Sequence, residues 1–365
     1  MRNSVLQYGS HVDTQAIVDH SFLAEYSGAS RHGKITESFI GPNTHVAEGE
    51  VTASFVGPFV GFHHQALLIA AWWPEGRGNI AYGANIGSNH TGKLADQEIF
   101  PGEGTFFGLS SSVKFPANLR EAPYSIIATS VTMLAQKLLF PFSLVNSPSR
   151  TIKGIPPAFN EIFPGWIISE NIYSLLRNSD KYVKRNKARR VSFDFSPWRP
   201  DLVLLAHKAK TLLESASGKE FYTDKEIPGL GKNFLTEENR IAGITAYSFY
   251  CDYFCRETLF ALLKDNPKAF AELGKSSGKT GTIPHEIAVQ IFAHNEEIAD
   301  STLLLQNLKH QKKEIQRMLL SSKSRDDKRG EKIIDDYTSV HLKTEDDSFI
   351  KDYSARLEKE IAALS

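Results

Sequence analysis

Three histidines near the N-terminus stand in sequence contexts that could support proton transfer. His63 and His64 follow Gly61, and His90 lies in the glycine-bounded segment Gly87–Lys93. An imidazole with an unperturbed pKa of about 6.5 can accept a proton from an attacking hydroxyl or amine near neutral pH. These residues are candidates for a general base, with His90 the strongest. The alternative is that they are outward-facing polar residues without a chemical role.

A repeated serine-led phrase indicates how the chain would position these histidines. Its first four copies are spaced by 17, 17 and 16 residues and read Ser4-Val5-Leu6, Ser21-Phe22-Leu23, Ser38-Phe39-Ile40 and Ser54-Phe55-Val56. This spacing is close to the roughly 18 residues in one turn of a left-handed parallel β-helix. Isolated aliphatic residues separated by small residues suit three short strands per turn better than an amphipathic helix.

The phrase returns at Ser125 and Ser143, again 18 residues apart. We therefore predict a left-handed parallel β-helix, a β-solenoid, over residues 1–146 with loop insertions near 70–80 and 94–103. Insertions in such repeats leave from one face, which is often the binding face. An end turn without a cap exposes open strand edges. A β-helix that starts in mid-repeat therefore favours coverage by a partner subunit or a chain shortened at its N-terminus.

Charge density separates this region from the rest of the chain. About 20 charged residues fall among the first 150 residues, and about 64 fall among the remaining 215. A Pro/Gly-rich connector at 147–168 would link the β-helix to a mainly α-helical region at 169–365. Periodicity and helix-start signals predict helices at Ser169–Arg190, Pro200–Ser217, Thr236–Lys264, Pro284–Leu320 and Asp347–Leu364.

Composition argues against several classes of protein. The 42 basic residues balance 42 acidic ones, so the chain has no net charge that would attract nucleic acid. No apolar run approaches the roughly 20 residues of a membrane span and no signal peptide is apparent, so we expect a cytoplasmic protein. Cys251 and Cys255 are interpreted as buried, reduced core residues rather than as two ligands of an incomplete metal site.

Three further segments of the helical region are interpreted as structural. Lys181–Arg190 has six basic residues in ten, but cations at a helix C-terminus account for it better than a nucleic-acid or phosphate site. Gly274–Thr280 resembles a phosphate-binding loop, yet it has three residues between its glycines where four are required, so we interpret it as an interhelical loop. The charged segment Ser321–Asp336 is predicted to be a mobile loop or a solvated helix end.

The repeat resembles that of the hexapeptide-repeat acyltransferases, a superfamily of left-handed β-helices that are typically trimers. The segment from Ser54 to Asn146 is more closely similar to a bacterial family of hexapeptide-repeat proteins without an established reaction. The strings that carry this similarity are Gly61–Gln65, Trp73–Asn79, Gly83–Gly92, Pro101–Gly104 and Phe140–Asn146. Members of that family carry a longer β-helix before this point, which again suggests an N-terminally shortened chain.

The resemblance implies transfer of an acyl group from acyl-CoA or an acyl carrier to a hydroxyl or amine of a sugar or sugar nucleotide. It implies a homotrimer and no tightly bound cofactor. His90 would be the general base, and Asn85 or Asn89 would orient it or the acceptor. The residues that would contact the substrate or the phosphates of the donor are His63, His64, Arg77, Lys93 and Lys114.

Two other functions stay open on the sequence. Some left-handed β-helices resemble zinc carbonic anhydrases, but the two histidines separated by four residues that those enzymes show on one coil are missing here. His63, His64 and His90 would converge on a metal only if the intervening loop folded back. The other possibility is a rigid trimeric scaffold that binds a partner or a sugar nucleotide and catalyses nothing.

Overall fold

The structure, a computed structural model, describes residues 1–87, 98–273 and 294–364. The chain divides into two compact units. The first consists of Met1–Ile167, Asp180–Phe195 and Lys208–Thr245, and the second consists of Ile168–Ser179, Ser196–His207 and Ala246–Ser365.

The first unit contains a parallel β-solenoid of about eight turns over residues 5–145, which confirms the predicted fold class. The first face is built from β1 (Val5–Leu6), β4 (Phe22–Leu23), β7 (Phe39–Ile40), β10 (Phe55–Val56) and β13 (Trp72–Trp73). A bridge from Ala71 to Ile99 joins it to a sheet of β16 (Ile99–Phe100), β19 (Ala117–Asn118) and β22 (Gln136–Lys137).

The other two faces are longer parallel sheets. The second face contains β2 (His11–Val12), β5 (Gly28–Ser30), β8 (His45–Ala47), β11 (Gly61–Phe62), β14 (Asn79–Ile80), β17 (Phe106–Phe107), β20 (Ile126–Ile127) and β23 (Leu144–Asn146). The third contains β3 (Ile17–Asp19), β6 (Lys34–Thr36), β9 (Glu50–Thr52), β12 (Leu67–Ile69), β15 (Asn85–Gly87), β18 (Ser112–Val113) and β21 (Thr132–Met133).

The repeated serines join successive turns through their side chains. The Ser38 backbone N–H donates to Ser21 Oγ at 3.1 Å, and the Ser54 N–H donates to Ser38 Oγ at 3.1 Å. Each hydroxyl in turn donates to a carbonyl two residues earlier, as Ser38 does to Thr36 at 2.7 Å. A serine at this position therefore satisfies a buried backbone N–H that would otherwise lack a partner. This explains why the repeat is led by serine.

The aliphatic residue of each phrase fills the core of the solenoid. Leu23, Ile40 and Val56 are fully buried, and Trp73 takes the same position one turn later. The segment 70–80, expected to be an insertion, carries β13 and β14, which pair in register with β10 and β11. The sheets therefore continue through this segment.

The second expected insertion, 94–103, lies partly outside the described residues. Strand β15 ends at Gly87 and β16 begins at Ile99, so eleven residues separate these strands where two separate β12 from β13. Residues 88–97 are not among those described. The described remainder continues the solenoid through β16.

Three strands beyond the solenoid extend its second face. They are β24 (Asn160–Phe163), β25 (Phe221–Thr223) and β26 (Asn233–Thr236). Strand β24 runs antiparallel to β23, with Val145 opposite Ile162. Strand β24 lies within the predicted connector at 147–168, and none of the three strands is predicted from the sequence. They cover the strand edge that the last turn of the second face would otherwise expose.

The helices lie after the solenoid, as predicted. They are α1 (Trp166–Ser169), α2 (Ile172–Arg185), α3 (Pro200–Glu214), α4 (Glu237–Asp265), α5 (Pro267–Leu273), α6 (Asn295–Ala299), α7 (Ser301–Glu331), α8 (Tyr337–Val340) and α9 (Ser348–Ala362), with a 3₁₀ turn at Thr344–Asp346. Helices α3, α4 and α9 agree with their predicted positions to within a few residues. Two predicted features lie outside the described residues. They are the interhelical loop at Gly274–Thr280, which resembles a phosphate-binding loop, and the start of the helix predicted at Pro284.

Two predicted helix boundaries differ from the structure for local reasons. The helix predicted to run from Pro284 to Leu320 is divided at Asp300, whose carboxylate accepts a hydrogen bond from the Thr302 N–H at 2.9 Å and begins a new helix. Helix α7 then continues to Glu331, so most of the segment predicted to be a loop or a solvated helix end is helical.

The basic segment near residue 185 leaves its helix earlier than predicted. Helix α2 ends at Arg185, and the following residues run along the solenoid. The N–H groups of Arg189 and Arg190 donate to the buried Glu25 carboxylate at 3.2 and 3.1 Å, and the Lys187 N–H donates to Asn43 Oδ1 at 3.1 Å. The backbone of this segment is therefore fixed by polar residues of the solenoid.

In the second unit, apolar residues from α7 and α9 form a buried core that includes Leu308, Ile315 and Phe349. Cys251 and Cys255 are buried thiols, which confirms the interpretation of both as core residues. Burial raises the pKa of the Cys255 thiol, so this group stays protonated. None of the helices in the described part of the chain is long and apolar enough to cross a membrane.

Candidate active site

Two of the predicted site residues project from the corner between the second and third faces. The backbone is left-handed at Glu48, Gln65 and Gly83, with φ of 60°, 54° and 66°. The Gln65 N–H donates to the Glu48 carbonyl at 2.7 Å, and the Gly83 N–H donates to the His64 carbonyl at 3.0 Å. Successive turns therefore stack tightly at this corner. The side chains of His63 and His64 are left on its outer surface.

His64 is paired with a carboxylate from the preceding turn. Its Nδ1 contacts Glu48 Oε2. The His64 side chain is 60% exposed and that of Glu48 is 33% exposed, so substrate could reach both. A carboxylate at Nδ1 holds the proton on that nitrogen and leaves Nε2 with a lone pair. This arrangement orients a general base in the way that the carboxylate of a catalytic triad orients its histidine.

His63 has a partner in the following turn. Its Nε2 lies 2.8 Å from Asn79 Oδ1, and because the amide oxygen only accepts, Nε2 carries the proton. Gly61 makes this contact possible, since a Cβ at that position would lie 2.8 Å from the same Asn79 oxygen. We name Glu48, His63, His64, Asn79 and Tyr82 the histidine corner.

Tyr82 adds an aromatic surface to this corner. It immediately precedes Gly83, whose N–H bonds to His64, and its ring is exposed. Leu109 is exposed one turn further along, and the Ser110 N–H donates to the Tyr82 carbonyl at 3.0 Å. Exposed aromatic rings beside polar groups are suited to bind small molecules that carry both apolar and hydrogen-bonding surface.

Glu48 and Asn79 are not among the residues predicted from the sequence, although the spacing of the repeat carries a signal for both. Glu48 precedes His64 by 16 residues (64 − 48), and Asn79 follows His63 by 16 residues. Both separations match one turn of the repeat. Pairing each histidine with the residues one repeat before and after it would have identified both partners.

Of the other predicted residues, two lie on or beside strands of the third face and three lie outside the described residues. Asn85 lies on β15, two residues beyond Gly83, with its side chain exposed, and Lys114 is exposed just after β18, the strand that pairs with β15. His90, Asn89 and Lys93 lie outside the described residues, so their predicted roles stay predictions. Asn85 begins the strand of the third face that follows the histidine corner, whereas Lys114 lies beyond the far end of the next strand of that face.

Arg77 lies at a different corner and is buried. Its guanidinium donates to Glu103 Oε1 at 2.6 Å, and the two side chains are 9% and 8% exposed. The Tyr124 hydroxyl donates to the same Glu103 oxygen at 2.7 Å, and the ring of Phe195 lies under the guanidinium at 5.2 Å. The predicted contact of Arg77 with a donor phosphate stays a prediction, and here the guanidinium binds Glu103.

The described residues contain no group of three His, Cys, Asp or Glu side chains placed to hold a metal ion. The metal-dependent alternative was built on His63, His64 and His90. Because His90 is not described, that alternative is untested.

Comparisons with known proteins identify one uncharacterised relative. No protein-family model matches the sequence, and no solved structure matches it. The chain is similar to an uncharacterized protein of Treponema pallidum (strain Nichols), with 32% identity over 161 residues. The match covers 44% of this chain and 21% of the relative, so the chain spans about a fifth of that protein's length. This similarity leaves the hexapeptide-repeat family and any activity as proposals.

Proposed function

We propose that the protein is an acyltransferase of the hexapeptide-repeat type. It would move an acyl group from acyl-CoA or an acyl carrier to a hydroxyl or amine of a sugar or sugar nucleotide. The observation that supports this proposal is the His64–Glu48 pair on the outer wall of a parallel β-solenoid. Among the described residues, His64 of this pair is the best candidate for the general base, and His90, which lies outside them, stays the base predicted from the sequence.

The proposed step is a single acyl transfer assisted by His64. Nε2 of His64 takes the proton of the acceptor hydroxyl or amine as that atom attacks the carbonyl carbon of the thioester. The C–S bond then breaks, and the departing thiolate takes a proton from the imidazolium. Glu48 stabilises the imidazolium and fixes its orientation, while a backbone N–H of the solenoid would bind the developing oxyanion.

The substrate contacts follow from the exposed residues near this pair. Tyr82 would stack against a sugar ring, and Asn85 would hydrogen-bond to the acceptor. Lys114 would bind a phosphate of the donor, since its ammonium group is exposed on the adjacent strand end. A homotrimer, with the acceptor bound between subunits, belongs to the same proposal.

The test measures release of free thiol from acyl-CoA donors in the presence of a panel of amino and hydroxyl sugars. His64→Ala should slow release by about 100-fold or more, the usual contribution of a general base. Glu48→Gln keeps the size of the side chain and should slow it by about tenfold or more, because the imidazole loses its orienting carboxylate.

His32→Ala is the matched control, since His32 is an exposed histidine at the same corner in an earlier turn. It should retain the wild-type rate. Full activity of His64→Ala together with loss in His90→Ala would move the base to His90. Absence of thiol release by the wild-type protein with every donor would overturn the proposal.

A second candidate function, a non-catalytic homotrimeric scaffold, is favoured by an aromatic ladder on the first face. Phe22, Phe39, Phe55 and Trp72 stack with ring centroids 5.4, 4.4 and 4.7 Å apart. They point outward, opposite the buried residues of the same strands, and Trp72 is exposed. Contiguous outward apolar surface is typical of a protein interface. A trimer in solution without thiol release from any donor would support this function.

A further inference from the structure

We propose that the second unit binds a single-chain amphiphile with a carboxylate head, in a pocket between α4, α7 and α9. The pocket has a volume of about 870 Å³, which is in the range of small-molecule sites. Most of its lining is apolar or aromatic, including Trp198, Phe260, Leu305, Leu357 and Leu364. This proposal is independent of the acyl transfer proposed for the solenoid.

The helices place one face each toward this pocket. On α4 the lining residues Tyr253, Glu257, Phe260 and Lys264 follow at intervals of four, three and four residues, which is one face of a helix. Helix α9 contributes a second such face. An apolar wall of this size is suited to bind a hydrocarbon chain, because removing the chain from water is favourable in proportion to its area.

One buried cation inside the pocket is already neutralised. Lys312 is 4% exposed, and its Nζ lies 2.7 Å from Glu360 Oε2 and in closer contact with Glu257 Oε1. The Tyr253 hydroxyl lies 3.5 Å away on a third side. The ammonium therefore has partners for its three protons and does not need a ligand anion.

Two other cations at the pocket have no such partner. Lys264 and Arg356 both line it and are exposed, and neither forms an ion pair with any residue of the described chain. Arg356 lies over the Tyr353 ring at 4.4 Å, which holds its guanidinium beside the pocket. With Lys312 and the two glutamates contributing a net charge of −1, these two cations bring the charge of the lining to +1.

This charge distribution selects the head group of the ligand. A carboxylate would pair with Arg356 and Lys264, whereas a quaternary ammonium head would be repelled by both. An uncharged head would gain only the burial of the chain. The apolar wall and the two cations together therefore favour a long-chain carboxylate over an alcohol or an ammonium of equal chain length.

The test uses isothermal titration of the full chain with dodecanoate, dodecanol and dodecyltrimethylammonium, the two ionic amphiphiles below their critical micelle concentrations and dodecanol below its solubility limit. The wild-type protein should bind one dodecanoate per chain and bind the other two more weakly. Lys264→Ala combined with Arg356→Ala should weaken dodecanoate binding by about tenfold or more, or about 1.4 kcal/mol. The same double variant should leave dodecanol binding unchanged.

Lys268→Ala combined with Lys359→Ala is the matched control, because these exposed lysines lie on α5 and α9 but do not line the pocket. It should bind dodecanoate like the wild type. Ala363→Trp, which adds a bulky ring at the exposed rim, should abolish binding of dodecanoate and dodecanol alike. The proposal is overturned if dodecanoate does not bind, if dodecyltrimethylammonium binds equally well, or if the double variant keeps wild-type affinity.

Discussion

Two charged pairs of the solenoid, His64–Glu48 and Arg77–Glu103, have opposite environments. The first lies on the outer surface, with side chains 60% and 33% exposed, and the second is enclosed, with side chains 9% and 8% exposed. An exposed pair can meet a substrate and exchange a proton with it. An enclosed pair has lost its hydration, so it depends on its geometry and costs free energy when one partner is removed.

The enclosed pair is also tied to the segment that lies over it. The Tyr182 hydroxyl donates to the Arg77 carbonyl at 2.6 Å, and the rings of Tyr182 and Phe195 flank Phe59. Burial raises the pKa of Tyr182 to about 12, so this hydroxyl stays a donor at any working pH. Arg77 Nε is buried and has no hydrogen-bond partner among the described residues. The carboxylate of Glu103 therefore provides most of the interaction that offsets the lost hydration of the Arg77 guanidinium.

The largest predicted effect comes from breaking the enclosed pair. Glu103→Ala should lower the free energy of unfolding by about 3–5 kcal/mol, because it leaves the Arg77 guanidinium buried and uncompensated. Urea denaturation followed by circular dichroism measures this change. In the control, Arg77→Met combined with Glu103→Ala should be less destabilised than Glu103→Ala alone. A loss below about 1 kcal/mol in Glu103→Ala would contradict the proposed role of the pair.

The repeat was predictable because its chemistry is local and periodic. Ser21, Ser38 and Ser54 recur with the solenoid period, and each does the same work in the structure. The continuation of the sheets through residues 70–80 departs from the predicted insertion, and Trp73 places an indole where the earlier turns have aliphatic side chains. Gly78 leaves the space that the indole occupies, since a Cβ at residue 78 would lie 2.1 Å from the Trp73 ring. The large side chain at residue 73 and the missing side chain at residue 78 fit together, and neither residue alone predicts this fit.

The candidate site was only half predictable for a related reason. His63 and His64 were identified from their residue type, but Glu48 acquires its role only by lying one turn before His64. The buried pair of Arg77 with Glu103 joins residues that are 26 apart, a separation that matches no turn of the repeat, so the sequence does not predict this contact. Exposure decides between a binding and a structural role, and exposure is a property of the folded chain.

An intermediate effect is expected for a third pair, Glu237 and Arg240, which is partly exposed. Glu237 accepts from Arg240 Nε and Nη2 at 2.7 Å each and from the Tyr222 hydroxyl at 2.6 Å. These hydrogen bonds, that of Arg240 first, lower the pKa of Glu237 to about 2. The carboxylate therefore stabilises the fold above its ordinary pKa of about 4.3, and this stabilisation is lost as the pH falls toward 2.

Urea denaturation at pH 6 and pH 2.5 tests this dependence. Glu237→Gln should be less stable than the wild type at pH 6 by about 1 kcal/mol, since the 35% exposed Glu237 side chain is partly screened by water. The difference between the two proteins should shrink at pH 2.5. Glu238→Gln, at the neighbouring exposed position, is the control and should parallel the wild type. A difference that grows on acidification would reverse the sign and refute the interpretation.

The smallest effect is expected for the exposed pair, and it completes the comparison. Glu48→Ala should change the free energy of unfolding by less than about 0.5 kcal/mol, because water rehydrates His64 when its partner is removed. Glu48 already has a left-handed backbone with φ of 60°, and alanine meets the same strain there as glutamate, so the backbone adds no large cost. The measurement is the same urea denaturation that is used for Glu103→Ala. If Glu48→Ala destabilised the protein as much as Glu103→Ala, the pair at the histidine corner would be structural. A loss of activity in Glu48→Gln would then reflect a loss of stability and would be no evidence that Glu48 orients a general base.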